Sequence, residues 1–289
     1  MKTTTKTTET EVMQTEIAEI KPVEVKSVIQ DEFASEEYID PNVKLPRIQA
    51  LRGEDPTQCG YFVPLSQAAK AGWLSWEEDQ LIDYVFNSGE TDRGLLFTSM
   101  RMLVCPRTPC LALDEKESKK QEQNVFIGYY KRSLYKDDPN VKNFQAFDVI
   151  LLDKNNKPIH QIPLSLKLKG GAQGSFAGEW DNFIEDMTNC HRIVNNMKPH
   201  TKKQPFKSLC VFVFNVKREM VGDKIKSPAC KVVGYEKPTL ENWKDYFVGF
   251  DADTKDFTFT NLPDRPLIAP QENQLALAGS PDHDSDIVF

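Results

Sequence analysis

The sequence predicts a β-rich α+β domain with the character of a decorated OB-like barrel. Three observations predict it: seven short β-branched and aromatic runs, one long amphipathic stretch, and two polar ends unsuited to a core. The first end is residues 1–42. Residues 1–45 hold ten acids against five lysines, a Thr-rich start, and no Trp or Leu before Leu45. Such a segment cannot bury enough apolar surface to offset its ordering entropy, so it is expected to be a disordered arm. The folded domain is expected over 43–262, starting near Leu45-Pro46-Arg47-Ile48.

Within it, the runs Leu81–Phe86, Leu95–Val104, Asn124–Lys131, Phe144–Leu152, Ile159–Leu168, Ser208–Lys217 and Lys231–Tyr235 read as strands. Asp153-Lys-Asn-Asn-Lys-Pro158 is a strong turn signal, which predicts a hairpin of Phe144–Leu152 with Ile159–Lys169. Leu209-Cys-Val-Phe-Val-Phe214 is apolar on both faces and predicts a central strand. Trp180, Phe183, Ile184, Met187, Cys190 and Val194 recur at helical spacing, predicting a helix from about Ser175 to Met197 that ends before Pro199. Shorter helices are expected around Pro64–Gly72 and Leu240–Phe247. Residues 263–289 then form a Pro-containing linker and an acidic tail, with Arg265 against five acids.

Charge is unevenly placed. The chain carries a net −7, but Lys116–Tyr246 holds 23 Lys and Arg against 15 Asp and Glu, a net of +8. A basic centre between acidic ends suits an anionic polymer as partner. Gly170-Gly171-Ala172-Gln173-Gly174-Ser175 links the Lys167/Lys169 strand to the long helix. Glycines there permit close backbone approach, and a helix start offers amides to a phosphate. The loop is not a P-loop, because no Gly-Lys-Ser/Thr follows. Tyr129-Tyr130-Lys131-Arg132 interleaves rings with cations, as single-stranded nucleic acid requires. Strand alternation would put Tyr129 and Lys131 on one face, Tyr130 and Arg132 on the other. The predicted DNA-binding set is therefore Tyr129, Tyr130, Lys131, Arg132, Lys167, Lys169, Gly170 and Gly171.

No catalytic signature is present: no His-Glu-x-x-His, no Gly-x-Ser-x-Gly and no dinucleotide fingerprint. The chain is expected not to be an enzyme and to need no cofactor or metal. Cys105-Pro-Arg-Thr-Pro-Cys110 has a zinc-compatible spacing. Its second ligand pair would be Cys190-His191, whose side chains diverge by about 100° on a helix, so a rigid Pro turn is expected instead. Asp114-Glu115-Lys116 and Glu117-Ser118-Lys119 have the acid-x-Lys spacing of metal nucleases but lie in a polar run. Without an apolar leader or an apolar stretch of ~20 residues, the protein is expected to be soluble and cytoplasmic with reduced thiols.

Two resemblances add to this reading. The tip Asp282, Asp284, Asp286, Ile287, Val288, Phe289 resembles the acidic, Phe-ended tip of bacterial and phage single-stranded DNA-binding proteins, with Val288 where that family usually has Pro. The resemblance implies a single-stranded DNA-binding protein of replication, recombination or repair, whose tip captures DNA-processing partners. A terminal ring beside a carboxylate suits a pocket with a cation at its mouth. Leu45-Pro-Arg-Ile-Gln-Ala-Leu-Arg-Gly53, Gln58-Cys-Gly-Tyr-Phe62, Arg101-Met-Leu-Val-Cys-Pro106 and Val233-Gly-Tyr-Glu-Lys-Pro238 together resemble an uncharacterised family found in cyanobacteria. The opening stretch is also similar to phage proteins suspected of binding DNA. The alternatives are a phage or mobile-element assembly protein that binds no nucleic acid, and a metal-dependent nuclease.

Overall fold

Alternating burial organises the strands of the computed structural model. It describes residues 44–262 apart from 54, 74–75, 77–79, 87, 200 and 223–225. The expectations for 1–42 and for the tail fall outside these residues.

Eleven strands form one sheet among the described residues: β1 (Arg47–Leu51), β2 (Gly60–Pro64), β3 (Leu81–Val85), β4 (Thr91–Phe97), β5 (Ser99–Pro106), β6 (Leu111–Asp114), β7 (Val125–Tyr129), β8 (Val141–Leu151), β9 (Leu164–Lys169), β10 (Phe212–Val221) and β11 (Ser227–Tyr235). The main path runs β11-β10-β5-β8-β9-β1-β2-β4-β3. β8 is the spine. Its first residues, Val141–Phe144, pair with β6, and its last, Phe147–Leu151, pair with β5. On its other edge, Phe144–Val149 pair with β9. The predicted hairpin is therefore present. Its turn is closed by the Asp153 carboxylate, which accepts from the Asn155 and Lys157 amides, both at 2.8 Å. Pro163 breaks the expected second strand, which starts at Leu164.

The expected barrel is not closed. β3 and β11 end the path without pairing to each other, so the sheet is open. It curls instead. The β1–β2 turn meets β10, where Arg218 Nε donates to Gly53 O at 3.1 Å. Tyr61 of β2 packs edge-on against Phe214 of β10, 5.7 Å between centroids. The run 95–104 is two strands, because the chain crosses at Thr98 from the β2–β4 limb to the β8–β10 limb. Phe212–Phe214 of β10 are buried on both faces as their composition demanded, yet the strand lies next to the sheet end and not at the centre.

Six α-helices accompany the sheet among the described residues: α1 (Leu65–Lys70), α2 (Glu115–Gln121), α3 (Arg132–Tyr135), α4 (Gly170–Val194), α5 (Gln204–Ser208) and α6 (Ala252–Asn261). α4 lies in the curl. Gln173, Phe176, Trp180, Phe183, Ile184, Met187 and Cys190 form its buried stripe. Phe176 touches Tyr61, Phe147, Phe212 and Phe214, tying three strands, β2, β8 and β10, to one ring. Burying such a ring contributes about 1.5–3 kcal/mol. α4 starts five residues earlier than predicted, so the Gly170-Gly171 stretch is its first turn and not a loop. A Cβ on Gly171 would stand 2.5 Å from Val221 Cγ2, so only glycine lets β10 come this close. Where 240–247 was expected helical, a 3-10 turn over Trp243–Tyr246 is found.

Candidate nucleic-acid interface

β9 alternates cleanly. Leu164, Leu166 and Leu168 are buried towards α4, which leaves Ser165, Lys167 and Lys169 on the opposite face. Directly opposed antiparallel residues share a face. Lys169 pairs with Phe144 of β8, Phe144 with Leu111 of β6, and Leu111 with Tyr129 of β7. Tyr129 and Lys169 thus end one row across four strands, separated by about 14 Å at ~4.8 Å per strand. Lys167 pairs with Ala146 and Lys142 with Leu113, which extends the same face by one row on each side.

A bulge makes this arrangement possible. Between Leu113–Phe126 and Leu111–Tyr129 the register shifts, with Gly128 at φ +131°. The extra residue in β7 keeps Phe126 and Tyr129 on the same side. Phe126 is buried with Leu111, Leu113 and Phe144, with rings of Phe126 and Phe144 5.0 Å apart. Tyr129 is 53 % exposed. The face therefore has an exposed ring at one end and lysines along the other, with a small buried apolar cluster between them.

Glu115, first residue of α2, stands within electrostatic reach of Lys142, Lys169 and Lys119. Burial pushes its carboxyl up, and the three ammonium groups pull it back. Its amide is held by Asn140 O at 2.8 Å. Asp114 is the N-cap of α2 and accepts from the Glu117 amide at 2.9 Å, so the acid-x-Lys stretch is spent on starting a helix.

The other predicted residues lie differently. β7 ends at Tyr129, and Lys131 is the N-cap of α3, so the expected alternation through Arg132 does not exist. Lys131 O accepts from the Leu134 and Tyr135 amides, and Lys131 and Arg132 are exposed. Tyr130 is half-buried; its amide bonds Cys110 O at 2.9 Å and its ring packs on Tyr135 at 5.9 Å. Burial raises its hydroxyl above the usual range. Gly170 is left-handed at φ +60° with open space at its Cβ position, while Gly171 serves packing against Val221. Asn143 Nδ2 donates to Gly170 O at 3.0 Å and bonds Gln173, pinning the start of α4 to β8. The tip residues Asp282, Asp284, Asp286, Ile287, Val288 and Phe289 lie outside the described residues. Sequence reading missed Lys142 and Glu115; the strand alternation of 142, 144 and 146 was the signal that could have placed Lys142.

Arg107 and Asp148 form a largely buried ion pair at 3.0 Å that anchors the Cys105–Cys110 turn to β8. Thr108 Oγ1 accepts from the Ala146 amide at 3.0 Å in the same turn. No group of three or more metal-binding side chains occurs among the described residues. No helix among them is long and apolar enough to cross a membrane.

The chain is 30 % identical over 176 residues to "Uncharacterized protein 254L" of Invertebrate iridescent virus 6, an alignment covering 56 % of this chain and 50 % of that one. It thus spans about half the length of the curated relative it matches. No solved structure matches it. A model described as "Domain of unknown function (DUF5895)" matches residues 42–278, which takes in the whole curled sheet, and the chain belongs to that family.

Proposed function

We propose that this domain binds single-stranded DNA, without catalysing a reaction, on the face formed by β6, β7, β8 and β9. The observation that carries this is the row Tyr129–Leu111–Phe144–Lys169, flanked by Lys142 and Lys167. A strand laid along it would stack a base on Tyr129 and set phosphates near the three lysines. A duplex hides its bases, so Tyr129 would gain nothing from it. Lys131 and Arg132, exposed just beyond Tyr129, would extend the phosphate track. Under this reading the acidic stretch from Asp282 to Phe289 recruits DNA-processing proteins in replication, recombination or repair.

Fluorescence anisotropy of the full chain with labelled oligo-dT and with a duplex of equal length tests the proposal. Tighter binding to the single strand supports it. Equal affinity for both, or no binding at low salt, removes it.

A further inference from the structure

We propose that Cys59 and Cys230 close a reversible disulfide that latches the seam of the curled sheet. Cys59 directly precedes β2, and Cys230 lies in β11, so the pair spans the two limbs that the curl brings together. Both residues are buried, each 2 % exposed, in the same core cluster, and the two thiols are near enough to act on each other's ionisation. Arg218, opposite Cys230 in the β10–β11 ladder, secures the same seam through Gly53 O and adds positive charge beside Cys59. The Tyr61 hydroxyl is buried with no hydrogen-bond partner and lies within electrostatic reach of both sulfurs. A buried donor without an acceptor is costly, and a sulfur or sulfenate oxygen carrying negative charge would provide one. The other described cysteines have different neighbours: Cys105 meets Ser208 and Gln204, Cys110 the Phe144 backbone, Cys190 Asp186, and Cys210 the Phe206 carbonyl.

The two sulfurs are not equivalent. The neighbouring Cys230 thiol and the Arg218 cation hold Cys59 below the ordinary thiol range against the opposing effect of burial. The Cys59 neighbour, together with burial, pushes Cys230 up. With the Arg218 cation acting on it, Cys59 is the attacking thiolate and Cys230 the resolving thiol. The oxidant is a hydroperoxide. With hydrogen peroxide, Cys59 sulfur attacks one peroxide oxygen, the O–O bond breaks, and water leaves with Cys59 as a sulfenic acid. Cys230 sulfur then attacks Cys59 sulfur; the S–S bond forms, the S–O bond breaks, and the Cys230 proton leaves with the second water. Two thiols have lost two electrons and two protons, and one peroxide has become two waters.

The latch bears on the start of α4. Val221 of β10 sits against Gly171, and the Val232 amide of β11 donates to Ser175 Oγ at 3.2 Å. Fixing the β10–β11 ribbon to the β1–β2 turn therefore stiffens the support of that helix.

The test treats the folded full chain with hydrogen peroxide, alkylates remaining thiols under denaturing conditions, and maps peptides by mass spectrometry with and without dithiothreitol. A Cys59–Cys230 linked peptide that dithiothreitol releases is expected, lost in Cys59→Ser and Cys230→Ser and kept in Cys110→Ser. The oxidised protein should also unfold at higher urea than the reduced protein, because the link closes a loop of roughly 170 residues. The proposal fails if the native wild-type chain yields only sulfinic or sulfonic acids, a disulfide with another cysteine, or a Cys59–Cys230 link formed only after unfolding. The wild-type map decides the matter even if a serine variant does not fold.

Discussion

Acidification should strike this fold first at His160. The ring is 1 % exposed, stacks on Trp73 at 5.3 Å, and bridges two backbones. Its Nε2 accepts from the Leu151 amide at 2.9 Å, and its Nδ1 lies 2.8 Å from Ile162 O. Since Nε2 accepts, Nδ1 must carry the proton and donate, so the folded ring is neutral. Burial, opposed by the Ile162 bond, lowers its pKa from 6.5 to about 4. The sign follows directly. The unfolded chain takes up a proton below its own pKa while the folded chain resists until about 4, so stability is whole above 6.5 and is lost as pH falls between these values. Going from about pH 7.5 to about pH 4.5 should cost about 2.5 kcal/mol through this one ring.

Urea unfolding of the wild type and His160→Gln at both pH values isolates the effect. Groups such as Asp251, held down to about 2 by the Lys157 hydrogen bond and by Thr254, contribute equally to both proteins. The wild type should be more stable at the higher pH, and the gap should shrink by about 2.5 kcal/mol at the lower. An unchanged gap would refute the buried neutral ring and the hydrogen-bond scheme drawn from it.

Other perturbations give distinct signatures. Tyr129→Ala should weaken oligo-dT binding by about 1–3 kcal/mol, roughly tenfold near the lower middle of that range, whereas Tyr129→Phe keeps the stacking ring and should change little by anisotropy. Glu115→Gln removes a carboxylate beside Lys142 and Lys169, so oligo-dT affinity should rise by about 0.7 kcal/mol, or threefold, if the phosphate lies ~6 Å away in a water-like dielectric. In α4, nothing surrounds a Cβ on Gly178, so Gly178→Ala should stabilise by roughly 0.5–1 kcal/mol in urea unfolding. Gly171→Ala should instead destabilise by about 1–3 kcal/mol, because its methyl meets Val221.

Local patterns in the sequence were legible where local physics decides. β-branched and aromatic runs marked most strands, Asp153–Pro158 marked the hairpin turn, and the Trp180–Val194 spacing marked α4. Where distant contacts decide, the reading failed. Gly170-Gly171 has loop propensity, yet Asn143 and Val221 make it the first turn of a helix. Thr98 looks like part of a continuous strand, although its carbonyl accepts from Val216 as the chain changes limbs. Closure of a barrel depends on pairing between the strands that end the sheet, and no local signal reports whether that occurs. For the site, alternation alone put Lys167 and Lys169 on one face. Joining them to Tyr129 needed the register of three ladders and a bulge at Gly128, none of which is encoded within a few residues.

The salt dependence of oligo-dT binding tests the central claim most directly. Each phosphate neutralised on a single strand contributes about −0.7 to the slope of log K against log salt. Lys142, Lys167 and Lys169 together should therefore give a slope of about −2, and Lys167→Ala with Lys169→Ala should leave about −0.7. Contacts from Lys131 and Arg132 would steepen both slopes equally, so the difference of about 1.4 is the quantity to measure. That difference, with weaker binding in the double variant, is the result expected of the β6–β9 face. Identical slopes and affinities for the two proteins would place any DNA contact elsewhere and contradict the account.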